Sequence, residues 1–128
     1  MNRKLRVPDY LEHILRAIER IERYTEDIDE VGFLNNAMVQ DAVLRNIEII
    51  GEAANNIQRV APEFAAKHGE IPWEIMYTMR NRVSHGYDTV DLEIIWKTIW
   101  RDLPDLYAQI QAVQTSLVSP PPPPQTPQ

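Results

Sequence analysis

Apolar side chains recur every three or four positions along most of this chain, the spacing of a buried helical face. Leu11, Ile14, Leu15, Ile18 and Ile21 form the first such stripe, opened at Val7-Pro8-Asp9 by a proline suited to a first helical turn. Arg16, Arg20 and Arg23 line another face, where Glu12, Glu19 and Glu22 stand three or four residues away to pair with them. The acidic stretch from Glu26 to Glu30, with Gly32, ends this segment or begins its turn. Asn35 and Asn36 are candidate caps for a second helix carrying Val39, Val43, Ile47, Ile50, Ala54 and Ile57 inward. Gly51, Ala53 and Ala54 make a small-residue patch there, where another helix can approach closely. Pro62, Gly69 and Pro72 mark a connection holding one short turn near Glu63 to Lys67. A third helix starts near Pro72-Trp73, carries Met76, Met79 and Val83, and stops at Gly86. A fourth runs from about Val90 with Leu92, Ile95, Trp96, Ile99, Trp100 and Leu103. Pro104 kinks it or separates a last segment with Leu106, Ile110 and Val113. No period-two strand pattern competes, so the expectation is an all-α, up-and-down bundle of four to five helices.

The stripes end where composition changes. Val118 to Gln128 holds six of the ten prolines, including the run Pro120 to Pro124, and no charged side chain. That stretch reads as a Pro-rich, disordered tail, which leaves residues 1–117 as one helical domain. At 128 residues, the chain has room for one modest core. Three Trp and two Phe suffice to anchor it, and the surplus of apolar stripe predicts a homodimer face. No apolar run reaches membrane-spanning length, and the basic start Met1 to Arg6 is followed by Pro8, Asp9, Glu12 and His13 rather than an export segment. Cysteine is absent, which removes disulfides, thiolate metal sites and a Cys nucleophile together; a bacterial-type cytoplasm fits.

Charge narrows the function. The net charge of −6, from 13 basic and 19 acidic residues, argues against coating nucleic acid by bulk attraction. Ten of the 13 cations are Arg, the residue suited to forked contacts with phosphate. A specific cationic pocket fits this balance better than a sticky surface. The four glycines are scattered and form no phosphate loop. His13, His68 and His85 lie far apart with no metal-ligand spacing, so neither a metal nor another cofactor is expected. His13 reads as part of an amphipathic helix and His68 as part of a Lys-His-Gly helix stop.

The segment that carries chemistry is Met79-Arg80-Asn81-Arg82-Val83-Ser84-His85-Gly86-Tyr87. Five residues turn a helix by about 500°, so Arg80 and His85 share no face of a straight helix. A left-handed cap at Gly86 would let the chain turn at His85 and bring both into one cleft. An imidazole moves a proton near neutral pH, and a guanidinium holds charge gathering on phosphorus. The residue types alone leave a plainer alternative open. Cations at a helix C-terminus favour its dipole, a His before Gly is a common helix ending, and Tyr87 packs behind such a cap by default.

Arg80-Asn81-x-x-x-His85 resembles the R-x4-6-H signature of the HEPN superfamily, and the trailing Gly86-Tyr87 resembles the R-x4-H-x-Tyr form of its HepT toxins. The likeness extends to Arg45-Asn46-Ile47-Glu48-Ile49-Ile50-Gly51-Glu52-Ala53-Ala54 and to Trp73, Met76 and Arg80 at helical spacing, covering roughly residues 8 to 115. It implies an HEPN-type helical homodimer that acts as a metal-independent RNA endonuclease, with transfer RNA as substrate. Arg80 and His85 would be catalytic and Asn81 supporting. It also implies the toxin half of a toxin–antitoxin pair. The partner would be an MntA-type nucleotidyltransferase antitoxin that silences the toxin by AMPylation of Tyr87. The alternative is a non-catalytic helical module that binds nucleotide or scaffolds the transferase, for which the Arg80, His85 and Tyr87 set is unneeded.

Overall fold

The computed structural model describes residues 6–85 and 90–118, with Ser84, His85 and Val118 as backbone only. These residues form helices and no strand: α1 (Val7–Thr25), α2 (Glu30–Leu34), α3 (Ala37–Val60), α4 (Pro62–Lys67), α5 (Trp73–His85), α6 (Leu92–Arg101) and α7 (Leu103–Val118). The all-α architecture is the one the apolar spacing predicts. Val118, the first residue of the predicted tail, is the last of α7; the rest of that tail and Tyr87 lie outside the described residues.

Local chemistry sets the helix starts. The Arg6 amide donates to the Asp9 carboxylate at 2.9 Å as α1 begins. The Asp29 carboxylate accepts from the Gly32 amide at 2.8 Å, starting the five-residue α2 within the acidic stretch read as a turn. Asn36 accepts from the Val39 amide at 3.1 Å and caps α3, the second of the two asparagines expected there. Each of these side chains satisfies an amide that the helix itself leaves unpaired. Asp102 forms a one-residue turn between α6 and α7, and Pro104 falls in the first turn of α7, where a missing N–H costs nothing. Pro104 therefore follows a break between two helices instead of kinking one.

Packing puts α3 at the centre, against α5 on one side and α1 on the other; α1 then packs on α7, and α6 bridges α7 and α2. Leu11, Ile14, Ile18 and Ile21 of α1 meet Val43, Ile50, Ala54 and Ile57 of α3 in a core that excludes water almost completely. Trp73, Met76 and Val83 carry it into α5, and Ile95, Ile99, Leu106 and Ile110 into α6 and α7. The Trp73 indole N–H is shared between the carbonyls of Ala65 at 3.2 Å and His68 at 3.1 Å, fastening α4 to the start of α5. No helix among the described residues is long and apolar enough to cross a membrane.

Candidate functional site

Arg80 reaches its place through a glycine on another helix. A β-carbon on Gly51 of α3 would lie 2.2 Å from the Arg80 Cβ and 2.6 Å from the Met76 carbonyl oxygen. No side chain fits there, so Gly51 sets how closely α5 sits on α3 and fixes the root of Arg80 against it. The small-residue patch predicted on the second long helix thus meets the helix that carries the reactive segment.

Beyond that root the Arg80 side chain is half-buried, and its Nη1 donates to the Asn81 Oδ1 at 3.2 Å. Asn81 engages the guanidinium from the neighbouring position, as a group that orients an arginine does. Arg82, two positions on, is exposed. Residue 85 is the last of α5 and stands about 500° further round the helix than residue 80. The side chain of His85, and the Gly86 turn expected to swing it toward Arg80, lie outside the description.

A second polar contact in the same α3 segment escaped the reading of the sequence. Asn46 is only 5% exposed, and its Oδ1 accepts from Arg20 Nε at 2.8 Å while its Nδ2 donates to the Ala42 carbonyl at 2.8 Å. The arginine expected to pair with glutamates along α1 instead clasps α1 to α3. An asparagine beside the inward stripe of Val43, Ile47 and Ile50 was the available signal, since a buried amide needs a partner. Asn46 is therefore a structural member of the Arg45–Ala54 segment, whereas Gly51 is the member that meets the site.

Of the other two histidines, one is exposed and one is half-buried. His13 is exposed, its ring edge-on to Tyr10 with centroids 6.0 Å apart. His68 packs on Phe64 at 4.6 Å with its Nδ1 3.5 Å from the Glu70 carboxylate, at the end of α4. Among the described residues no group of three or more His, Asp or Glu stands together as a metal site.

Two clefts border α5. One, of about 400 Å³, is floored by Ile47, Ile50, Met76 and Met79 and rimmed by Glu70, Asp102 and Asp105. The other, of about 310 Å³, lies between the end of α5 and the start of α6, bounded by Met79, Arg82, Val83, Asp91 and Ile94. Acidic groups on the first make it a poor seat for a phosphate. The second has one cation and one carboxylate.

Comparison with known proteins bears on the whole of this frame. A family profile described as "Ribonuclease HepT-like" matches residues 14–113. A protein of Thermococcus cleftensis named "Probable ribonuclease HepT" is 42% identical over 83% of the chain and 94% of its own length. A "Putative RNase" of Caldanaerobacter subterraneus is 36% identical over 81% of the chain and 90% of its own length. Another "Putative RNase", of Methanocaldococcus jannaschii, is 35% identical over 84% of the chain and 95% of its own length. No solved structure matches the chain.

Proposed function

Because the chain belongs to the HepT-like ribonuclease family, we propose that it is the toxin of a toxin–antitoxin pair, an endonuclease that cuts transfer RNA without a metal. The observation that carries this reading is Arg80, rooted against Gly51 at a contact too close for any side chain, with its half-exposed guanidinium held by Asn81. A fork fixed at its base and open at its tip is what binding a phosphodiester requires.

The chemistry needs two proton-transfer groups. The RNA 2′-hydroxyl attacks phosphorus, a base takes its proton, and the P–O2′ bond forms. The P–O5′ bond breaks, and an acid protonates the leaving oxygen. The products are a 2′,3′-cyclic phosphate and a 5′-hydroxyl. A single motif supplies one imidazole, so the site is composite: His85 of one copy takes the proton and the partner subunit's His85 supplies the other. Arg80 stabilises the charge on the non-bridging oxygens, worth several kcal/mol when such a donor is preorganised, about 2.7–4 in comparable oxyanion sites. Asn81 keeps the fork aimed. An MntA-type nucleotidyltransferase silences the protein by transferring AMP from ATP to Tyr87. The added bulk and negative charge repel RNA from the cleft.

Cleavage of total transfer RNA in EDTA tests the reading. Wild type, prepared without the transferase, is expected to cut and leave cyclic-phosphate ends. His85→Ala is expected to lose all cleavage while keeping its helicity. Failure of the unmodified wild type to cut, or cutting by His85→Ala, overturns the assignment. Tyr87→Phe is expected to cut RNA but to gain no AMP mass from the transferase; AMP on another residue refutes that part.

A further inference from the structure

Along α6 the chain builds an aromatic ladder that ends in solvent. Phe33 of α2 is fully buried, and the Trp96 ring tilts against it with centroids 5.3 Å apart. Trp100, one turn further along α6, stands edge-on to Trp96 at 5.5 Å and is 51% exposed. The core needs Phe33 and the half-buried Trp96, but it does not need Trp100. An indole held rigidly by its inner neighbours, with a face left in water, is an unusual use of the most costly apolar surface.

The charges around it point to an occupant. Lys97 and Arg101, one turn apart on the same exposed side of α6, stand next to Trp100. Among the described residues neither is held in an ion pair, although acidic residues outnumber basic ones in the chain as a whole. Glu93 stands one turn before Lys97 and Asp102 directly follows Arg101, yet neither carboxylate comes within ion-pair distance of these cations. Lys97 and Arg101, exposed and outside any ion pair, leave positive charge in water beside the indole, which suits a solvated anionic ligand. Single-stranded nucleic acid combines the two chemistries required, a flat base to stack and phosphates to neutralise.

We infer that the C-terminal half of α6 is a platform for single-stranded RNA, on which Trp100 stacks one base while Lys97 and Arg101 contact the flanking phosphates. This deepens the nuclease reading, on which it rests: α6 begins a few residues after the segment that carries Arg80 and the exposed Arg82. The platform would hold RNA away from the scissile bond and so act on affinity rather than on the chemical step. Every base has a stackable face, so it would grip loops and tails with little sequence preference.

The test uses full-length protein carrying His85→Ala, so that RNA is not consumed, and a fluorescein-labelled 12-nucleotide oligouridylate read by anisotropy over a range of salt. Trp100→Ala is expected to weaken binding about tenfold, the size of one base–aromatic stack, and Trp100→Phe to retain most of it. The double variant Lys97→Gln/Arg101→Gln is expected to flatten the salt dependence by about two phosphate contacts. Circular dichroism checks that each variant keeps its helices; Trp100→Phe and the double variant carry the test if Trp100→Ala does not. Unchanged affinity in Trp100→Ala overturns the platform, and so does failure of the protein with Trp100 intact to bind oligouridylate. A Trp100→Ala protein that loses a dimer in sedimentation but binds RNA as before would make the indole a protein seam instead. Wild-type cleavage of transfer RNA is scored separately. Trp100-dependent binding without cleavage removes the nuclease reading and leaves the platform, whereas cleavage with Trp100-independent binding removes the platform alone.

Discussion

A single methyl group at position 51 would collide with both the Arg80 side chain and the α5 backbone. The Met76 carbonyl cannot move without its helix, so α5 must back away from α3. Gly51→Ala is expected to destabilise the fold by about 1–3 kcal/mol, the usual cost of overpacking, despite alanine's better helix propensity. Thermal unfolding would show this as a midpoint lowered by several degrees. The same displacement carries Arg80 with it, so RNA cleavage should fall more than stability alone explains; an unchanged midpoint would show that the two helices can separate freely. The glycine and the arginine were both legible as separate features of the sequence. Their contact was not, because 28 residues, with the whole of α4, lie between them. Asn46 was missed for a related reason, since its partner Arg20 is 26 positions away on another helix.

At the scale of elements, the long helices were readable because their stripes repeat over several turns, and caps such as Asn36 fall where the stripe begins. Helix α2 was not, because five residues are too few to show a period and its acidic approach resembles a turn. What makes it a helix is the Asp29 cap together with Phe33, buried against Trp96 of α6. The same kind of cap starts α6, where the Asp91 carboxylate accepts from the amides of Glu93 at 3.0 Å and Ile94 at 3.3 Å. Asp91→Ala is expected to cost about 1 kcal/mol in chemical denaturation, the usual loss on removing an N-cap. Because α6 follows the reactive segment directly, the variant should also speed hydrogen exchange of the first-turn amides of α6. A loss confined to those amides would mark local fraying, while unchanged exchange would deny the cap its role.

For the whole molecule, α1 and α7 are joined by a polar seam outside the core. The Gln114 side chain donates to Glu12, the Tyr107 hydroxyl donates to Glu19 at 2.8 Å, and Arg16 bridges both carboxylates. The hydrogen bond from Gln114, and then the one from Arg16, hold the Glu12 carboxyl below its ordinary value of 4.5. The hydrogen bond to Glu19 raises the Tyr107 phenol above 10.0. A carboxylate with a lowered folded-state pKa stabilises the fold above its unfolded value and loses that contribution as pH falls through the folded one. Stability should therefore decline as pH drops from near 4.5 through that lowered value, in urea titrations followed by circular dichroism. Glu12→Gln should flatten that part of the curve; an identical acid profile would mean the seam does not contribute. The raised phenol acts in the opposite direction, its contribution being lost as pH climbs through its folded value.

Sequence by itself determined the helical class and most helix positions, since the period of apolar residues and the caps are local properties of the chain. It also carried the family, because the Arg80-Asn81 pair, the glycine-bearing α3 segment and the following His85 stand at fixed offsets along the chain. Only the tertiary structure decided which helix Gly51 faces, that Arg20 belongs to Asn46, and that Trp100 ends a ladder in solvent. Each of these depends on distances across the bundle, and a one-dimensional pattern specifies a helix's inward face without specifying its neighbour.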